Sequence, residues 1–176
     1  MGVIVRILIG LATVAAVLFV IGWSLPKTHR AESRLTLETP PAEVWTVVRN
    51  PAALVGTWSD LKSSRQVQGA GGREVWEQDA GGMQMRLIIE SSDPPRRLVT
   101  RIDADEKAAF GGTWTYTLTP AGNGTTLSIV EDGFVNNPLF RVMMALMGKH
   151  RTMDGYLKAL ADKLDEPVRP EHVRSE

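Results

Sequence analysis

PLFRVMMALMGKHRTMDGYLKALADKLD, residues 138–165, is the stretch whose reading decides the fold. Leu139, Met143, Leu146, His150, Met153, Leu157, Leu160 and Leu164 recur at alternating steps of four and three, which places them on one face of a helix. Asn137 is a good N-cap, and Pro138 suits the first helical position, where its missing N–H is not needed. Pro167 ends the run, because proline disfavours helix in the residue before it. At about 1.5 Å per residue the helix would be about 40 Å long. Only a broad surface can bury such a face.

The segments before it predict that surface. Arg34–Thr39 alternates apolar and polar residues and reads as a strand. Pro40–Val48 reads as a short helix capped by Thr39, with Val44, Val47 and Val48 on its apolar side. Strand-like runs follow at about 63–68, 73–79, 83–91, 97–103, 112–119 and 125–131. Each is bounded by Gly, Pro, Asn or Asp. Thr113–Thr119 alternates strictly, with Trp114, Tyr116 and Leu118 on one face. Met83, Met85, Leu87 and Ile89 make a second stripe, and Leu127 and Ile129 a third. Seven strands on short loops predict an antiparallel meander curled around the long helix.

The other end of the chain has different chemistry. Ile7–Leu25 carries no charge over nineteen residues, long enough at about 1.5 Å per residue to span a bilayer's hydrocarbon core. Trp23 stands where an interfacial aromatic belongs, and Pro26 ends the segment. The following SLPKTHRAES has no A-x-A cleavage pattern, which favours an uncleaved single-pass anchor over a signal peptide. Lys27, Arg30 and Arg34 outnumber Arg6 across it, which leans towards a cytoplasmic domain. The predicted organisation is an anchor over 1–26, a linker over 27–33, a domain over 34–165 and a disordered polar tail over 166–176.

Composition narrows the chemistry. The 176 residues include 20 basic and 20 acidic side chains, so no net field draws nucleic acid. There is no cysteine and only three histidines, His29, His150 and His172, which argues against disulfides, thiolate nucleophiles and metal clusters. No P-loop or dinucleotide fingerprint is present, and no cofactor is expected.

The order of elements, with TPPAEVW at 39–45, DPPRRLVTRI at 93–102, GGTWTYTLTP at 111–120 and NNPLFR at 136–141, resembles the START-like superfamily. Within it the chain is similar to the SRPBCC group, the polyketide cyclase/dehydrase and lipid transport family, over about residues 34–165. The resemblance implies an α+β helix-grip fold, a curved seven-stranded antiparallel sheet around the C-terminal helix. The transmembrane helix lies outside it. Function is less determined, because such a fold hosts many activities.

A sheet gripping a helix encloses either a filled core or a cavity. The candidate ligand-binding residues are Trp58, Met83, Met85, Leu87, Trp114, Tyr116, Leu127, Ile129, Phe134, Met143, Leu146, Met147 and His150. Four of the seven methionines fall in the long helix, where flexible side chains suit varied apolar ligands. His150 is the only ionisable member of the helix stripe. It is a candidate headgroup contact, or an acid/base partner to Glu131 or Tyr116, against the plainer reading of a histidine bonded at the core edge. Before Gly148 the helix is apolar nearly all round, with Phe140, Met144, Ala145 and Met147 widening the stripe. Loops near Trp58 and Phe134, or the bilayer, would have to cover it. Gly148 is a natural place for a kink or break.

Three readings follow: a membrane-anchored binding domain for a lipid or other hydrophobic small molecule, a cyclase/dehydratase-type enzyme using the same cavity, or an interaction module with a filled core. The first accounts for both the anchor and the apolar interior. The second lacks a nucleophile, a metal cluster or an obvious carboxylate pair, so no catalytic residue is assigned.

Overall fold

A period of two through the middle of the chain produces successive strands joined by tight turns. A computed structural model describes residues 2–167 and 170–173. Along the chain come α1 (Gly2–Ser24), β1 (Thr28–Leu37), α2 (Pro41–Val48), β2 (Leu61–Gln68), β3 (Glu74–Ala80), β4 (Met83–Asp93), β5 (Arg97–Ile102), β6 (Phe110–Ala121), β7 (Gly124–Val135), α3 (Pro138–Met147), α4 (Arg151–Lys163) and β8 (Glu171–Val173). All strands join one antiparallel sheet in the order β2-β3-β4-β5-β6-β7-β1-β8. The helix-grip architecture is present, and α1 is long and apolar enough to cross a membrane.

Two strand boundaries differ from the sequence reading. β1 begins at Thr28, inside the expected linker, and pairs with β7 from Thr28 opposite Phe134 to Leu37 opposite Thr125. Its inward residues there are His29, Ala31 and Ser33, small or polar, so no apolar alternation marks the strand. The eighth strand lies in the expected disordered tail, where Glu171–Val173 pairs with Arg34–Glu32 at the sheet edge. The rest of 168–176 lies outside the described residues apart from Pro170.

Thr39 does not cap α2. Pro40 holds the N-cap position without a side-chain bond, while Thr39 Oγ1 donates to Glu166. Glu166 also accepts the Glu38 and Thr39 backbone N–H groups, at 2.7 and 2.8 Å. The carboxylate beyond α4 therefore ties the start of α2 to the end of the long helical segment.

The long helix is the larger correction. It breaks at Gly148, which adopts φ 87° and ψ 142°, a backbone conformation that glycine reaches without a Cβ clash. After the break, Met153, Leu157 and Leu160 are wholly buried against the sheet with Leu35, Leu127, Ile129, Tyr116 and Leu98. Before it, Leu139, Met143 and Leu146 are exposed, although they continue the same periodicity. α3 instead packs across the end of α1, and a Cβ on Gly22 would fall 2.0 Å from the Pro138 carbonyl oxygen. Only α4 is gripped.

The two halves should respond differently to truncation. Leu157→Ala should destabilise the protein by about 2–5 kcal/mol, the usual range for a fully buried leucine. Leu146→Ala should stay within about 0.5 kcal/mol, as for an exposed site. Denaturant unfolding of the full chain in micelles checks the contrast; equal losses would contradict the break.

Candidate functional site

Strand register arranges the inward residues in rows across the sheet, because successive side chains point to opposite faces. Towards the α2 end one row joins Leu35, Leu127 and Leu118, and the next joins Ser33, Ile129, Tyr116 and Leu98. These two rows are buried. The third joins Ala31, Glu131, Trp114, Thr100 and Ile89. The last, at the α3 end, joins His29, Gly133 and Gly112, with Ile102 and Leu87 paired further along the sheet. Leu87, Met85, Ile102 and Trp114 are half-buried and Met83 is exposed, so one end of the inner face is an open apolar strip.

An aromatic group closes the inner end of this strip. Tyr156 of α4 packs edge-on against Trp58 and Trp114, with ring centres 5.6 and 5.8 Å apart, and lies 5.5 Å from Tyr116. Burial pushes the Tyr156 and Tyr116 phenols well above their ordinary range, with a Thr100 hydrogen bond partly offsetting the effect on Tyr116. Both phenols therefore stay neutral at physiological pH and are poor candidates for a general base.

Polar groups reach the same end. His29 lies over Gly133, where a Cβ would meet its Cε1 at 2.6 Å. Its Nε2 is 3.6 Å from Glu131 Oε1, near enough for charge attraction but too long for a hydrogen bond. His29 Nδ1 and Trp58 Nε1 are both shielded from water and have no partner among the described residues. An unsatisfied buried polar atom is costly, typically about 1–3 kcal/mol, and calls for a complementary group.

The expected site residues divide accordingly. Trp58, Trp114 and Tyr116 come together around Tyr156, while Met85 and Leu87 lie on β4, two strands from Trp114, with Met83 exposed at the end of that strand. Leu127 and Ile129 belong to the deep core and cannot touch a ligand without displacing α4. Phe134 is a correction: its even number puts it on the opposite face from Leu127 and Ile129, where its ring covers Gly111. Met143, Leu146 and Met147 are also corrections, since α3 turns them outward.

His150 sits elsewhere, at the β1 edge. Its Nδ1 is 3.1 Å from Ser33 Oγ, and Ser33 Oγ donates to Asp154 Oδ1 at 3.0 Å. Because that serine proton is committed to Asp154, His150 Nδ1 must be the donor of the pair. His172 of β8 stacks on the His150 ring at 4.1 Å and binds Asp154 through Nε2 at 2.9 Å. Ser33 is wholly buried, so this cluster is a clasp between β1, α4 and β8, and no nucleophile. Sequence reasoning missed Ser33, His29, Asp154 and His172 here. None falls in a motif: the pairing of β1 with β8 sets Ser33 opposite His172, α4 brings Asp154 to both, and the pairing of β1 with β7 sets His29 over Gly133.

Burial, and then the neighbouring His172, hold the His150 pKa below that of a free imidazole, with Asp154 opposing. A histidine with a depressed folded-state pKa binds its proton less readily than in the unfolded chain. Its contribution to stability is thus intact above about pH 6.5 and declines as pH falls through that value to the lower folded-state pKa. His150→Asn should flatten the fall in melting temperature over that window. An NMR titration placing the His150 midpoint above that of free imidazole would contradict this.

Comparisons with known proteins fit this geometry. The aromatase/cyclase Zhui from Streptomyces sp. R1128 is 14% identical with a TM-score of 0.64, covering 78% of this chain and 94% of that one. A conserved protein from Geobacillus kaustophilus is 16% identical with a TM-score of 0.60, covering 83% and 100%. A protein from Arthrobacter aurescens is 17% identical with a TM-score of 0.57, covering 80% and 88%. At such identities the likeness is one of fold. A comparison with curated protein sequences finds no match. The family model described as polyketide cyclase / dehydrase and lipid transport matches residues 28–167, from the first residue of β1 to just past α4, and the chain belongs to that family.

Proposed function

We propose that the chain is a membrane-anchored binding domain that holds a lipid or another hydrophobic small molecule at the open end of its inner sheet face. The carrying observation is the strip of Met85, Leu87, Ile102 and Trp114 on the inner sheet face, which stays half-buried while the neighbouring rows are fully covered. Such a strip gains by excluding water, and an apolar molecule is the ligand that lets it. His29 Nδ1 and the Trp58 indole N–H supply the few polar points that would orient a head group. α1 supplies the anchor. The balance of Arg6 against Lys27, Arg30 and Arg34 supports placing the domain on the cytoplasmic side.

The site is tested by native mass spectrometry of the full chain released from gentle detergent, followed by extraction of bound compounds. Wild type should carry an apolar compound that Leu87→Trp, which fills the strip, carries about tenfold less, a loss of about 1.4 kcal/mol in binding. Compounds that merely coat α1 should be unaffected by that change. Equal retention by both proteins would overturn the reading.

One observation favours a second reading, catalysis of the cyclase or dehydratase type. Glu131 and His29 lie 3.6 Å apart in the rows that carry the open strip, where an acid and a base could serve one substrate. On this reading the compound carried by Glu131→Gln should be heavier by one water than the compound carried by wild type. Glu131→Gln should retain binding but lose at least a hundredfold in rate, the lower end for a general acid–base group.

A further inference from the structure

We propose that α3 is a second membrane-contacting element, an interfacial helix whose exposed face lies in the bilayer that α1 spans. The inference rests on the anchor reading above and adds where the domain sits. Leu139, Met143, Leu146 and Met147 are 48%, 46%, 82% and 49% exposed. Their spacing of four, three and one residues puts them on a single side of the helix. Loops do not cover this side: Trp58 is engaged with Tyr156, and Phe134 lies over Gly111. Apolar side chains at such exposure, gathered on one helix, mark an interaction surface.

The bilayer is the occupant because α3 is seated on the end of the spanning helix. Gly22 of α1 admits the Pro138 carbonyl where any Cβ would collide. Arg141, the only charged residue of α3, is buried and spends its guanidinium on backbone. Nη1 donates to the Gly22 and Leu25 carbonyls at 3.0 and 3.1 Å, Nε to Val135 O at 2.9 Å and Nη2 to Asn136 O at 2.8 Å. The side chain thereby satisfies carbonyls that the α1 C-terminus leaves without helical partners and places a cation at the negative end of the helix dipole. Its charge is hidden from the exposed side, where an interfacial helix must be apolar. The next charges along the chain, Lys149 and Arg151, come only after α3 has ended.

Because the chain contains no cysteine, single thiol labels report single positions. Full-length protein carrying Met143→Cys, Leu146→Cys, Val14→Cys in α1 or Lys158→Cys on the exposed side of α4 would be labelled with an environment-sensitive fluorophore. Each is reconstituted in phosphatidylcholine–phosphatidylglycerol vesicles. Labels at 143 and 146 should be quenched by nitroxide lipids and be several-fold less accessible to aqueous iodide than the label at 158. If the label at 14 is lipid-quenched while 143 and 146 are as iodide-accessible as 158, the inference fails and the anchor stands. If the label at 14 is not lipid-quenched, the anchor reading fails and takes the inference with it. Shielding of 143 and 146 from iodide without lipid quenching would identify a protein neighbour, such as a second copy, and also overturn it.

Discussion

A helix face can stay buried only for as long as the opposing surface offers side chains to meet it, and here that supply runs out along the sheet. The rows bearing Leu35, Leu127 and Leu118, then Ile129, Tyr116 and Leu98, are apolar and deep. They receive Met153, Leu157 and Leu160. Beyond them the rows change on β1, β6 and β7 to Ala31, Glu131 and Trp114, then His29, Gly133 and Gly112, while Ile89, Leu87 and Ile102 lie further off on β4 and β5. Apolar burial is non-directional and follows available apolar area, and on β1, β6 and β7 little of it remains at that end. The break at Gly148 and the departure of α3 from the sheet accompany this change in the rows.

Displacing α3 creates a second difficulty, which Arg141 resolves. The chain leaves α1, turns at Pro26 and enters β1 with several backbone carbonyls close together and no helical donors to bind them. A buried charge with nothing to bind would be expensive, as would orphaned carbonyls without a donor. Each solves the problem of the other. The guanidinium's planar fork of five donors reaches α1, β7 and the Asn136 link at once, a geometry that lysine cannot reproduce. The Val135 N–H donates to the Lys27 carbonyl at 2.8 Å, closing the same junction from the β7 side.

Much of the architecture is written in period and punctuation. The meander, the apolar leader and the terminal helical segment all follow from alternation, run length and cap residues, because these are local properties. What resisted reading was pairwise. Leu139, Met143, Met153 and Leu157 share one periodicity, yet the sheet accepts only the latter two, and no local rule separates them. Phe134 was legible in principle, since an even-numbered residue in this strand cannot share a face with Leu127 and Ile129. His29 was hidden because β1 carries no apolar alternation where it starts, so the strand read as a linker. Arg141 is the lone charge of an apolar helix, and only the close approach at Gly22 reveals its partners.

The start of β1 also changes what kind of tether this is. A seven-residue linker over 27–33 would have let the domain take many orientations above a membrane. Instead only residues 25–27 separate α1 from β1, a span of at most about 10 Å when extended. All three are restrained: Leu25 N–H bonds Ile21 O, Leu25 O accepts from Arg141, Pro26 has a fixed φ, and Lys27 O is held by β7. The ordering entropy of the connection is thus settled during folding. The contacts of Arg141 and Gly22 thereby hold the start of β1, His29 included, at a fixed relation to the end of α1.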